Sequence, residues 1–140
     1  MDQLAKYFFC APQISLTDIQ AAKALDIDAV VCQRPDFEEP NQPTGEEVKQ
    51  WCQDAGMAFV FLPVIPGQIT VKDVKQFDEL TRGYQTLLGY CRTGTRASIL
   101  WAANEVAHGN LTADEAQQII ADSGRDIGAA INLLKNLEKK

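Results

Sequence analysis

Short apolar runs alternate with amphipathic stretches along most of the chain. Tyr7 to Cys10 reads as a strand, and Ser15 or Thr17 caps a helix whose inner face carries Ile19, Ala22 and Leu25. Ala29 to Cys32 predicts a second strand, closed by the stretch Gln33 to Pro40, where Pro35 and Pro40 enforce a loop. Thr44 opens a helix through Val48, Trp51 and Cys52 that ends at Gly56. Met57 to Val64 is an almost unbroken apolar run, the pattern of a parallel strand buried on both faces. Beyond Pro63, Pro66 and Gly67, Thr70 and Asp73 stand at capping-box spacing before a helix through Val74, Phe77 and Leu80 that stops at Gly83. Leu87 to Tyr90 predicts the fourth strand, and Ile99, Leu100, Ala103 and Val106 predict a helix to Gly109. Thr112 with Glu115 caps a further helix to Ser123, and Gly124 separates it from a last one through Ile127, Ile131 and Leu134.

Strands alternating with helices of about ten to fourteen residues predict an α/β fold. The expected architecture is a central, mainly parallel sheet of four to five strands with helices on both faces, plus two C-terminal helices. At 140 residues and 46% hydrophobic content the chain fits a single domain, 1–140, with enough core to dispense with disulfides. Within it, 1–108 reads as the catalytic core and 109–140 as a helical extension. Covering the core is the favoured role for that extension, ahead of dimerisation or substrate capping, and a homo-oligomer is left open.

Charge narrows the partners. Thirteen Lys and Arg face nineteen Asp and Glu, and the net charge of −6 argues against binding nucleic acid or a membrane surface. The longest apolar stretch, Ala58 to Pro66, is about half a bilayer span and holds two prolines, and no basic segment precedes an apolar leader. A cytoplasmic location is the expectation. Cys10, Cys32, Cys52 and Cys91 form no C-x-x-C pair and have only His108 to join them, so no metal site and no cofactor is expected, and the thiols should be reduced.

In an open parallel sheet, ligands bind where loops leave the carboxyl ends of the strands. That edge gathers 34–40, 64–70 and 91–96. In the last, Cys91-Arg92-Thr93-Gly94-Thr95-Arg96, a thiol at a strand end is followed by a glycine-bearing turn and an arginine at a helix start. Successive backbone N–H groups in such a turn, with the helix N-terminus, attract an anion and favour thiolate over thiol. Cys91 is therefore the expected nucleophile. Arg96 is the expected anion-binding arginine, because its planar fork can grip two oxygens. Arg92, Thr93, Gly94, Thr95 and Arg34 are the expected substrate-binding residues. Cys10 and Cys52 read as core. Cys32 reads as core ahead of a resolving role, His108 as a helix-end residue, and Trp51 and Trp101 as packed side chains.

Gln33-Arg34-Pro35-Asp36, Glu39, Gln42-Pro43, Pro63-Val64, Gly67, Thr70 and Tyr90-Cys91-Arg92-Thr93-Gly94-Thr95-Arg96 together resemble the bacterial beta-lactamase-hydrolase-like, phosphatase-like family, over about residues 1 to 108. The resemblance implies a protein tyrosine phosphatase-like α/β fold with the cysteine loop as active site, Cys91 as nucleophile and Arg96 as anion-binding arginine. It also implies a domain found fused to metallo-hydrolase domains linked with sulfide metabolism. Phe37 departs from the pattern, standing where the family often has glycine.

Two chemistries suit the loop. Dual-specificity phosphatases carry His-Cys-x5-Arg, whereas here Tyr90 precedes the cysteine and four residues separate Cys91 from Arg96. One residue less is about 3.5 Å less contour for cradling a phosphoryl group. Cys-Arg-x-Gly-x-Arg resembles rhodanese-type sulfurtransferases, whose cysteine carries a persulfide. Expelling an alkoxide or phenoxide calls for a general acid, expelling sulfite or a thiolate does not, and 64–70 holds no carboxylate. Asp36 is the best acid available to a phosphatase, ahead of Glu38, Glu39 and Asp73, although capping its own turn explains it equally well. The sequence thus favours sulfur transfer from a small anionic sulfur donor to a thiol or persulfide acceptor. A phosphatase acting on a phosphate ester is the alternative, and a non-catalytic anion- or persulfide-binding module comes third.

Overall fold

The computed structural model describes residues 1–138. Five strands, β1 (Asp2–Ala5), β2 (Phe8–Ala11), β3 (Ala29–Cys32), β4 (Ala58–Phe61) and β5 (Leu87–Tyr90), form one sheet in the order β1-β2-β5-β3-β4. All pairs are parallel except β1 with β2. The sequence pattern gave no sign of β1, because Asp2-Gln3-Leu4-Ala5 buries only Leu4 and its strand state comes from pairing with β2.

The sheet separates two cores, and the period of two along each strand decides which residue joins which. On one face α1 (Leu16–Ala24) and α2 (Gly45–Asp54) cover Phe9, Val30, Cys32, Leu88 and Tyr90. On the other, α3 (Val71–Thr81) and α4 (Thr95–Ala107) cover Phe8, Cys10 and Val31. The last helices, α5 (Ala113–Asp122) and α6 (Ile131–Glu138), pack on α4 and extend this second core through Ala116, Ile120, Leu134 and Leu137. Ser15, Thr44, Thr70 and Thr112 each close a capping box at the start of their helix, satisfying backbone N–H groups that the helix itself leaves open.

Two expectations are corrected. The third predicted strand, β4, lies at the sheet edge, is shorter than Met57 to Val64, and is only partly covered, with Phe61 45% exposed. Its apolar run reflects contact with α2 on one face and, through Val60 and the following Leu62 and Val64, with the core under α3 and α4 on the other. The last predicted helix also begins later, since Ile127 leads into a short 3-10 turn, Gly128–Ala130, before α6.

Strand order positions the reactive loop. Because β5 lies between β2 and β3, its carboxyl end is flanked by residues that follow those two strands. Cys91 N–H donates to Ala11 O (3.4 Å), Gln13 N–H to Arg92 O (3.3 Å), and Gln33 N–H to Tyr90 O (2.9 Å). No helix among the described residues is long and apolar enough to cross a membrane.

Candidate active site

The loop after β5 folds tightly around a buried thiol. Cys91 is fully enclosed, and its Sγ accepts a hydrogen bond from Gly94 N–H at 3.1 Å. Gly94, at φ +91°, is the N-cap of α4. The backbone angle demands glycine, and a Cβ there would stand 2.6 Å from the Arg125 guanidinium and make that side chain move. Arg125, from the turn between α5 and α6, donates its Nε–H to Thr93 O (3.1 Å) and pairs with Asp2 (2.8 Å). The C-terminal helices are thereby tied to the reactive loop.

Arg96, from the first turn of α4, is almost wholly buried. Its Nη1 and Nη2 donate to the two oxygens of Glu38 at 2.8 and 2.9 Å, and Nη1 also donates to Val64 O at 2.8 Å. Guanidinium has five N–H donors. The edge formed by Nε and Nη2 therefore retains donors with no carboxylate or carbonyl partner among the described residues, and an anion can meet it side-on. Burial works against the charge of Arg96, but Glu38, together with the thiol of Cys91, more than offsets it and its pKa is raised.

Arg34, 1% exposed, does not reach the loop itself. It donates from Nε to Glu38 (2.9 Å), from Nη1 to Gln13 Oε1 (2.9 Å) and from Nη2 to Glu39 (2.5 Å). Glu38 is thus shared by two buried guanidinium groups. The hydrogen bonds from Arg96, followed by those from Arg34, hold its carboxyl below the ordinary range despite partial desolvation. Sequence reasoning counted Glu38 only as a reserve acid and overlooked Gln13, whose position just after β2 on the carboxyl edge was the available signal.

Asp36 is placed elsewhere. Its Oδ1 accepts from Gly45 N–H (2.7 Å) at the start of α2, beside Phe59 and Phe61. Asp73 is engaged in the Thr70 capping box. Arg92 and Thr93 are exposed at the loop rim and Thr95 is half-buried. With Arg96, these three line a cavity of about 300 Å³, whose remaining wall is mostly apolar: Pro66, Ile69, Ile99, Ile127 and Leu133. Asp126 is the one carboxylate on that wall among the described residues, and its Oδ1 accepts Gly128 N–H at 2.8 Å. No sequence pattern pointed to it.

The other thiols differ in setting. Burial pushes Cys10 up to about 11 and Cys52 up to about 12, and also raises Cys32. Cys32 lies in the core under α1 and α2. Alternation along β5 directs Cys91, one residue after Tyr90, to the opposite face. His108 caps the end of α4 and meets Asp78 at 2.9 Å.

The family described as beta-lactamase hydrolase-like protein, phosphatase-like domain, matches residues 1–108. The chain belongs to this family. The phosphatase-like domain is 37% identical over 110 residues to the beta-lactamase hydrolase-like protein of Xylella fastidiosa (strain Temecula1), covering 76% of this chain and 25% of that protein. It is 29% identical over 126 residues to the protein of that name from Agrobacterium fabrum (strain C58), covering 89% of this chain and 29% of the relative. The domain therefore spans about a quarter of the length of these curated relatives. Among solved structures, a protein of Neisseria meningitidis Z2491 with a provisional phosphatase name superposes with a TM-score of 0.84 and 34% identity, covering 96% of each chain. PTPMT1, at 17% identity and a TM-score of 0.73 over 99% of this chain and 93% of its own, shares the fold. The architecture is that of the protein tyrosine phosphatase-like enzymes, and the family is a cysteine-based, phosphatase-like one.

Proposed function

We propose that this domain hydrolyses phosphate monoesters through a phosphocysteine on Cys91. The observation that carries the reading is the pairing of an enclosed thiol, hydrogen-bonded by Gly94 N–H, with a rigidly held Arg96 that keeps one guanidinium edge for an anion. Family membership and the phosphatase-like neighbours support phosphoryl rather than sulfur chemistry as the main reading, reversing the order favoured by the loop sequence. The Cys91 thiolate attacks phosphorus, the P–O bond to the leaving group breaks, and that oxygen takes up a proton. Water then attacks phosphorus, the S–P bond breaks, and phosphate leaves with the thiolate restored. Asp126 is the carboxylate that the cavity offers as proton donor, and the apolar wall favours an aryl or other apolar leaving group.

An aryl phosphate assay with wild type, Cys91→Ser and Asp126→Asn tests this. Turnover should vanish in Cys91→Ser, and Asp126→Asn should slow esters of weakly acidic alcohols more than esters of acidic phenols. Retained turnover in Cys91→Ser would refute the phosphocysteine. The four-residue spacing from Cys91 to Arg96 favours one second reading, rhodanese-type sulfur transfer through a Cys91 persulfide. Intact mass after exposure to thiosulfate, gaining about one sulfur atom in wild type only, together with no aryl phosphate turnover, would establish it instead.

A further inference from the structure

Gln33 has an unusual position for a polar side chain. It is fully enclosed, and neither its amide nitrogen nor its amide oxygen has a hydrogen-bond partner among the described residues. Orphaned amides of this kind are uncommon in folded proteins, because each carries a desolvation cost that nothing repays. The backbone of Gln33 is fully employed: its N–H donates to Tyr90 O (2.9 Å), and its carbonyl accepts from Val64 N–H (3.2 Å).

Register places this amide. The last paired residues of β3 and β5 are Cys32 and Tyr90, so one step further Gln33 stands beside Cys91. Val31 belongs to the core under α3 and α4 and Cys32 to the opposite core, and alternation returns Gln33 to the α4 side. A Cβ on Gly89 would point at Ala97 of α4, and Tyr90 points the other way, so Cys91 faces α4 too. Adjacent strands are about 4.8 Å apart, within the reach of a glutamine side chain.

The sulfur, meanwhile, has few donors. Gly94 N–H donates to it at 3.1 Å and the Arg96 guanidinium interacts with it, whereas the Ser98 hydroxyl, on the same helix as Arg96, is committed to Thr95 O at 2.7 Å. A neutral thiol accepts hydrogen bonds weakly, whereas a thiolate needs several. We infer that Gln33 is a catalytic residue whose amide N–H turns onto the Cys91 sulfur whenever that sulfur is anionic, as free nucleophile and again as the group expelled from the covalent intermediate. This rests on the reading of Cys91 as nucleophile, and it holds for a phosphoryl or a sulfur intermediate alike.

The test compares wild type, Gln33→Leu and Gln33→Met in the pH dependence of Cys91 alkylation by iodoacetamide, followed by peptide mass mapping, alongside aryl phosphate turnover and thermal melting. Both variants remove the donor, and methionine keeps the length and flexibility of the side chain should leucine fail to fold. The alkylation midpoint should rise by about one pH unit, a roughly tenfold loss of thiolate at neutral pH. Melting temperature should stay level or rise, since a buried unsatisfied amide has been removed. Asparagine, which retains the donor on a shorter stem, should restore part of the shift. An unchanged midpoint in the folded variants would overturn the assignment of Gln33. A wild-type Cys91 that is not alkylated at any pH, or turnover surviving in Cys91→Ser, would instead remove the nucleophile on which it rests.

Discussion

Glu38 shows how one carboxylate can hold two buried arginines in place. Its side chain is 22% exposed, and it neutralises Arg96 while Arg34 holds it from behind. Removing the charge leaves two buried guanidinium groups short of a partner, an effect of about 3 kcal/mol for buried pairs. Because the carboxyl is held below its ordinary range, its stabilisation is complete above the unfolded-state value, about 4.3, and disappears as pH falls through the lower folded-state value. Thermal melts of wild type and Glu38→Gln should differ most near neutrality, begin to approach one another as pH falls below the unfolded-state value, and converge only below the lowered folded-state value. A difference that persists undiminished in acid would mean that shape, not charge, is what Glu38 contributes. Phe37, next to it, adopts φ +64° with 84% of its surface exposed. The left-handed region costs a non-glycine residue about 1–2 kcal/mol, part of which glycine returns through chain entropy. Phe37→Gly should therefore raise stability by up to about 1 kcal/mol in urea titration. The departure from glycine noted in the sequence thus has a backbone cost.

At the scale of elements, two left-handed glycines on α4 separate conformation from contact. Gly109, past the C-terminus of α4, has φ +75° and open space around it, whereas Gly94 has Arg125 against it. Gly109→Ala should lose about 1 kcal/mol of stability and leave turnover intact. Gly94→Ala should lose at least as much and also lower turnover, because the added Cβ strains the turn that donates to Cys91 and displaces Arg125 from Thr93 O. Equal losses of activity in the two variants would show that α4 as a whole, rather than the clamp on the loop, sets the reactive geometry. The elements themselves were largely readable beforehand. Ala29 to Cys32, Leu87 to Tyr90 and the four capping residues stand where patterning and cap chemistry placed them, since both are local properties. What failed was non-local: β1 exists because β2 offers it an edge, and β4 is an outer strand because of sheet order.

Across the whole molecule the same division holds for the site. The position of Cys91 and Arg96 at a strand-to-helix junction followed from local signals. The surroundings of those residues did not, because Gln13, Gln33, Glu38, Val64 and Arg125 converge from four separate segments, and no spacing rule connects them. Sheet order is what brings them together. It also has a consequence in time. During synthesis β2, β3 and β4 emerge well before β5, yet β2 and β3 share no hydrogen bonds except through β5. A nascent or truncated chain ending before Leu87 therefore has a sheet divided by one missing strand, with the apolar edges of both parts open to other chains. The segment that closes this gap ends in Cys91. Completion of the sheet therefore also docks Cys91 at its carboxyl edge, with its N–H on Ala11 O, so a chain that closes its sheet has brought this thiol to its place in the same step.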